Sequence, residues 1–130
     1  MNRRIIYTSA ALAVACLIPT ATPAAASTSA CTHHWSGPQV CIRITGRNEM
    51  NSVTAIWVNP PKTTKTRIVQ LYSNGKPLFG PERARRVGTT ISYTWNTFDT
   101  GAHTRLCVKF ASITRTACDS TTYSGVPGPL

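Results

Sequence analysis

The chain has 130 residues, with 14 Lys and Arg against 4 Asp and Glu and a formal net charge of +10. That length suits a single domain of ordinary size. With four carboxylates, glycosidase chemistry by a converging acid pair has little to draw on, while the positive balance points to anionic partners.

The chain opens "MNRRIIYTSAALAVACLIPTATPAAAS". Arg3 and Arg4 make a positive n-region, Ile5 to Ile18 an apolar run, and Ala24 to Ala26 a small-residue cleavage site. This predicts a secretory signal peptide over residues 1–26. The run is too short for the roughly 20 apolar residues that span a bilayer, so no transmembrane span is expected. "AVAC" is a loose match to a lipobox, with Ala13 where that pattern has Leu, so lipidation at Cys16 is the minor alternative. Removing residues 1–26 leaves 104 residues and, with Arg3 and Arg4 gone, a charge of +8. The domain is predicted over 27–122, followed by a flexible tail over 123–130.

Period-two alternation dominates the mature chain. In "QVCIRIT", Val40, Ile42 and Ile44 share one face and Cys41 and Arg43 the other. "SVTAIWV", apolar almost throughout, reads as a strand buried on both sides. "TRIVQLYS" sets Val69 and Leu71 against Ile68 and Tyr72. "SNGKP" holds Asn74-Gly75, a type I′ hairpin signal, and "NPPK" and "SGPQ" are further turns. "PERARRVG", Pro81 to Gly88, reads as a short helix with Pro81 at its first position. "TTISYTWN" alternates Ile91, Tyr93 and Trp95 with polar residues, "TRLCVKF" does so with Leu106, Val108 and Phe110, and "TRTACDST" is a weaker last strand. Six or seven short strands predict an all-β fold, a small antiparallel β-sandwich of Ig-like type.

Four cysteines remain in the mature chain: Cys31, Cys41, Cys107 and Cys118. An even count in a short exported chain reads as two disulfides formed in an oxidising compartment. Alternation puts Cys41 beside Arg43, and Cys107 between Arg105 and Lys109, on the polar faces of their strands. An inter-sheet bridge through the core needs inward-facing cysteines. The favoured pairing is therefore local, Cys31–Cys41 and Cys107–Cys118.

The segment "CTHHWSGPQVC" then becomes a stapled loop with surface histidines, because bonded cysteines hold no zinc. No metal or cofactor is expected. No Gly-x-Ser-x-Gly elbow is present, and no catalytic residue is assigned. Trp57 and Trp95 read as core. Binding candidates are Arg83, Arg85 and Arg86, with Lys62, Lys65, Arg67 and Lys76 in nearby turns, and Trp35 as an aromatic anchor in the stapled loop.

The layout "CIRITG…VTAIWV…GTTISYTW…TRLCVKF…ACDST", behind an Arg-Arg and Ala-rich signal, resembles small secreted β-sandwich proteins of actinobacteria. The resemblance implies export and fold, and brings no functional motif. Hydrolase inhibitors of the tendamistat type are also small two-disulfide β proteins, but their Trp-Arg-Tyr triplet and cysteine spacing are missing here. The expected function is non-enzymatic binding, either to an anionic polymer (wall polymer, lipid head groups or nucleic acid) or to a secreted protein. The alternatives are a hydrolase inhibitor acting through loop 31–41, and a basic nuclease drawing on His33, His34 or His103 with Glu49 or Glu82.

Overall fold

Alternating burial runs through almost every strand of the chain. The computed structural model describes residues 26–33 and 38–121. Its elements are β1 (Ala26–Cys31), β2 (Gln39–Arg47), β3 (Met50–Val58), β4 (Thr66–Ser73), β5 (Lys76–Val87), β6 (Thr90–Asp99), β7 (Arg105–Phe110) and β8 (Ala117–Ser120). Every pairing is antiparallel, in one sheet of order β1-β2-β3-β6-β5-β4-β7-β8. Strands β4, β5 and β6 follow one another by hairpins, and β7 returns to lie beside β4. That is a Greek key.

The all-β antiparallel class and the two disulfides are as expected. The two-layer sandwich is not clearly what forms. The sheet curls until it is nearly barrel-shaped, and the edge strand β8 packs close to β1 and β2. Strand β5 causes the difference. It pairs with β4 over much of its length, and then its last residues, Arg85–Val87, pair with Thr90–Ser92 of β6. One long strand thus joins a half made of β1, β2, β3 and β6 to a half made of β4, β5, β7 and β8.

The helix expected over Pro81 to Gly88 is therefore corrected to strand. Ala84 is fully buried between exposed Arg83 and Arg85, which is period two. Pro81 is tolerated because it falls in a bulge of β5, where the ladder needs no donor. Strand β1 is an addition to the expected set. "ASTSAC" carries no large apolar residue, and its place comes from pairing along β2, from Ala26 opposite Gly46 to Cys31 opposite Cys41.

The core is the inner face of the curl: Ile42 on β2, Val53 on β3, Leu71 on β4, Ile91 on β6, and Leu106 with Phe110 on β7, all fully buried. Each such side chain contributes roughly 1.5–3 kcal/mol relative to exposure. In β3 the expectation of burial on both sides gives way to alternation. Val53, Ala55 and Trp57 face in, while Ile56 and Val58 are only half-buried on the outer face.

Both disulfides join residues directly opposite each other, Cys31 with Cys41 and Cys107 with Cys118. Each staples an edge hairpin on its outer side, as the alternation predicts. The β7–β8 loop is longer than a two-residue turn at Ser112-Ile113 and runs over residues 111–116. Asn74 and Gly75 both have positive φ, 49° and 83°, as a type I′ turn requires. The segment expected to be a signal peptide, with Cys16, lies outside the described residues apart from Ala26, where β1 begins. Also outside them are His34, Trp35 and the tail from residue 122.

Candidate functional site

The outer face of β5, β4 and β7 carries the densest set of outward cations. Arg83 and Arg85 are exposed on β5, two residues apart and so about 7 Å along the strand. Arg83 stands opposite Ile68 and Arg85 opposite Thr66 on β4. On its other side β4 pairs with β7, and Gln70 stands opposite exposed Lys109. The cations thus flank a central strand of polar and apolar side chains. On this face lies a groove of about 350 Å³, lined by Ile68, Gln70, Tyr72, Pro81, Lys109 and Ser112 among others, with Arg83 opposite its residue Ile68 and Arg85 one step further along β5.

The four carboxylates lie elsewhere. Glu49 is in the β2–β3 turn. Asp99 ends β6, and its Oδ1 accepts the Gly101 N–H at 2.9 Å. Asp119 is on β8, where it shares a shallow recess with Arg105. Glu82 pairs with buried Val69, and so faces inward beside Tyr93. Burial pushes the Tyr93 phenol above its ordinary range, and the Glu82 carboxylate pushes it the same way by its charge and a hydrogen bond. Among the described residues, Arg83, Arg85 and Lys109 are thus left without a carboxylate partner, the condition for a concentrated positive field, whereas Arg105, further along β7, has Asp119 nearby.

Arg86 does not join Arg83 and Arg85. It lies on the other face of β5 and donates to three carbonyls: Nε to Thr64 at 2.9 Å, one terminal nitrogen to Gly88 at 3.2 Å, the other to Pro61 at 2.7 Å. It fastens the β3–β4 loop. Arg67 also turns inward. Its guanidinium sits 5.0 Å from the Trp57 ring centroid and donates to the Ala111 carbonyl at 3.3 Å. Trp57 in turn packs on Phe110, so aromatic and cation close one end of the barrel in layers. Lys62 and Lys65 are exposed in the loop at that end, and Lys76 is at the other. The basic cluster of the sequence is thus divided.

The expectation of surface histidines fails for His33, which is buried, with Nε2 donating to the Pro38 carbonyl at 2.9 Å. His103 is exposed in the β6–β7 loop, at the opposite end of the barrel, so these two do not form one centre. Among the described residues no group of three His, Cys, Asp or Glu side chains is placed to hold a metal ion. Trp57 and Trp95 are core, as expected.

Lys109, Tyr72 and Gln70 are site residues that sequence reasoning passed over. Alternation already turned Lys109 and Tyr72 outward. What it does not show is that β4 and β7, more than thirty residues apart in the chain, are neighbours. Comparison with protein-family models, curated proteins and solved structures found no match for this chain.

Proposed function

We propose that this protein is a small secreted, non-enzymatic binding protein that holds an anionic polymer on the outer face of β5, β4 and β7. The observation that carries the reading is that Arg83, Arg85 and Lys109 share one outer face, with Lys109 lining its groove and Arg83 opposite the groove residue Ile68, while every carboxylate is on another face or at an end. Arginine suits the task because its planar fork grips phosphate, sulfate or carboxylate with paired hydrogen bonds. Two disulfides suit an oxidising extracellular setting, and among the described residues no helix is long and apolar enough to cross a membrane.

A second reading is the hydrolase inhibitor. It is favoured by the bracing of the stapled loop, where Thr32 N–H donates to the Val40 carbonyl at 2.9 Å inside the Cys31–Cys41 bridge. Bracing at the base of a loop lowers the entropy lost on binding.

Salt titration tests the first reading. Polyanion binding releases counterions, so affinity for heparin or polyphosphate falls steeply as salt rises from about 50 to 200 mM. Affinity that stays flat over that range contradicts it. Slower cleavage by a secreted protease or glycosidase, with no polyanion affinity, selects the inhibitor instead.

A further inference from the structure

Next to the groove, β5 departs from its ladder. Leu78 pairs with Leu71, but Glu82 pairs with Val69, so Phe79, Gly80 and Pro81 share the single residue Gln70 as their opposite. This bulge adjoins the groove through Pro81 and its partner Gln70, which both line it, and Phe79 lies two residues before Pro81. Phe79 takes φ +61°, a left-handed conformation that is costly for a bulky side chain. The Gln70 amide holds it there, donating to the carbonyls of Leu78 at 3.2 Å and Phe79 at 3.1 Å. The Phe79 ring meets Phe98 edge-on, with centroids 5.1 Å apart, and is still 53% exposed. Gly80 is the next residue, yet the left-handed position is given to a phenylalanine.

Resting on the polyanion reading, we propose that the anionic chain is single-stranded nucleic acid, its phosphates on Arg83, Arg85 and Lys109 and a base stacked on Phe79. An exposed, fixed aromatic ring a few residues from a cationic groove is a combination that a single strand of several nucleotides can span. Polyol phosphates, polyphosphate and lipid head groups supply charge but no flat ring to stack. A duplex keeps its base faces inside the helix. An unpaired strand uses both halves of the site, and a preordered ring loses little freedom on binding.

The experiment compares an oligothymidylate of about ten nucleotides with an abasic phosphodiester of equal length, both titrated into the oxidised protein at one low salt concentration. The expected result is tighter binding of the oligothymidylate. Phe79→Ala then weakens that binding by about 5- to 100-fold and leaves the abasic chain unchanged. Phe79→Leu, which keeps an apolar contact for Phe98, gives the same selective loss at unchanged Tm, which separates stacking from folding. Arg83→Gln with Arg85→Gln weakens both ligands. Equal affinity of the wild type for the two chains, or equal loss for both in Phe79→Ala, overturns the base-stacking site and leaves the polyanion reading standing. Failure of both chains, and of heparin, to bind overturns the two together.

Discussion

The outer faces of the two halves of the barrel have similar construction and different chemistry. Each has an edge hairpin stapled by one disulfide on the outside, Cys31–Cys41 on β1–β2 and Cys107–Cys118 on β7–β8. On the β1-β2-β3-β6 side, one row of the register reads Ser29, Arg43, Thr54, Thr94, and the Thr54 and Thr94 hydroxyls bond each other at 2.9 Å. The one cation of that row is flanked by hydroxyls, and exposed Arg47 lies apart from it at the end of β2. On the β5-β4-β7 side, Arg83, Arg85 and Lys109 share a face with a groove lined by Lys109, exposed Ile68 and half-buried Tyr72. Equal bracing with unequal charge means that the field, and not stiffness, distinguishes the two faces. The hydroxyl face satisfies itself across strands, whereas the cationic face leaves its charges for a partner.

The largest expected effect tests the shared construction. Replacing Cys107 and Cys118 by serine, or Cys31 and Cys41, lowers stability by about 3 kcal/mol in each case, since the bridged residues are 11 and 10 apart. Denaturant midpoints of the two variants should agree closely, and a large gap between them breaks the comparison. Next is the binding contrast. Substituting Arg83, Arg85 and Lys109 together by Gln weakens polyanion binding on the order of a hundredfold at low salt. Arg43→Gln on the hydroxyl face is expected to stay within about twofold.

Arg86 sharpens the boundary between binding and structural arginines. Arg86→Ala removes three carbonyl partners and lowers stability by about 1–3 kcal/mol, visible as a fall in Tm. It leaves the salt dependence of binding as it was. On the hydroxyl face, Thr54→Val together with Thr94→Val removes one exposed pair and changes stability by about 0.5 kcal/mol or less.

The smallest effect is a pH dependence. Because burial and Glu82 raise the Tyr93 pKa, the neutral phenol is favoured in the folded state. Its contribution is complete below the ordinary value of 10.0 and is lost as pH rises through the raised folded value. Thermal scans between about pH 9 and pH 11 should show that loss, reduced in Glu82→Gln.

Much of this was legible in the chain, and the gaps have physical causes. Ile91, Tyr93 and Trp95 announce their strand, and Cys41 between Val40 and Ile42 announces an outward sulfur and hence a local bridge. Strand β1 gives no such signal, because small polar residues do not show which face is buried. In β5 only Ala84 is buried, so charge hides the period. That masking carried over to the site. On a helix Arg83 and Arg86 would share a face, whereas on a strand Arg83 and Arg85 do and Arg86 turns away. The arginine cluster was visible in sequence; its division was not. Nor was Lys109 as its neighbour, because that depends on the Greek-key return of β7 to β4.

The most direct measurement is the slope of log affinity against log salt for a flexible polyanion, compared between the wild type and the Arg83→Gln, Arg85→Gln, Lys109→Gln triple variant. Each cation that meets a single-chain phosphate contributes about 0.7 to that slope, so the triple variant should be shallower by about 2. An unchanged slope, or the same decrease from Arg43→Gln alone, would contradict the assignment of the polymer to the β5-β4-β7 face.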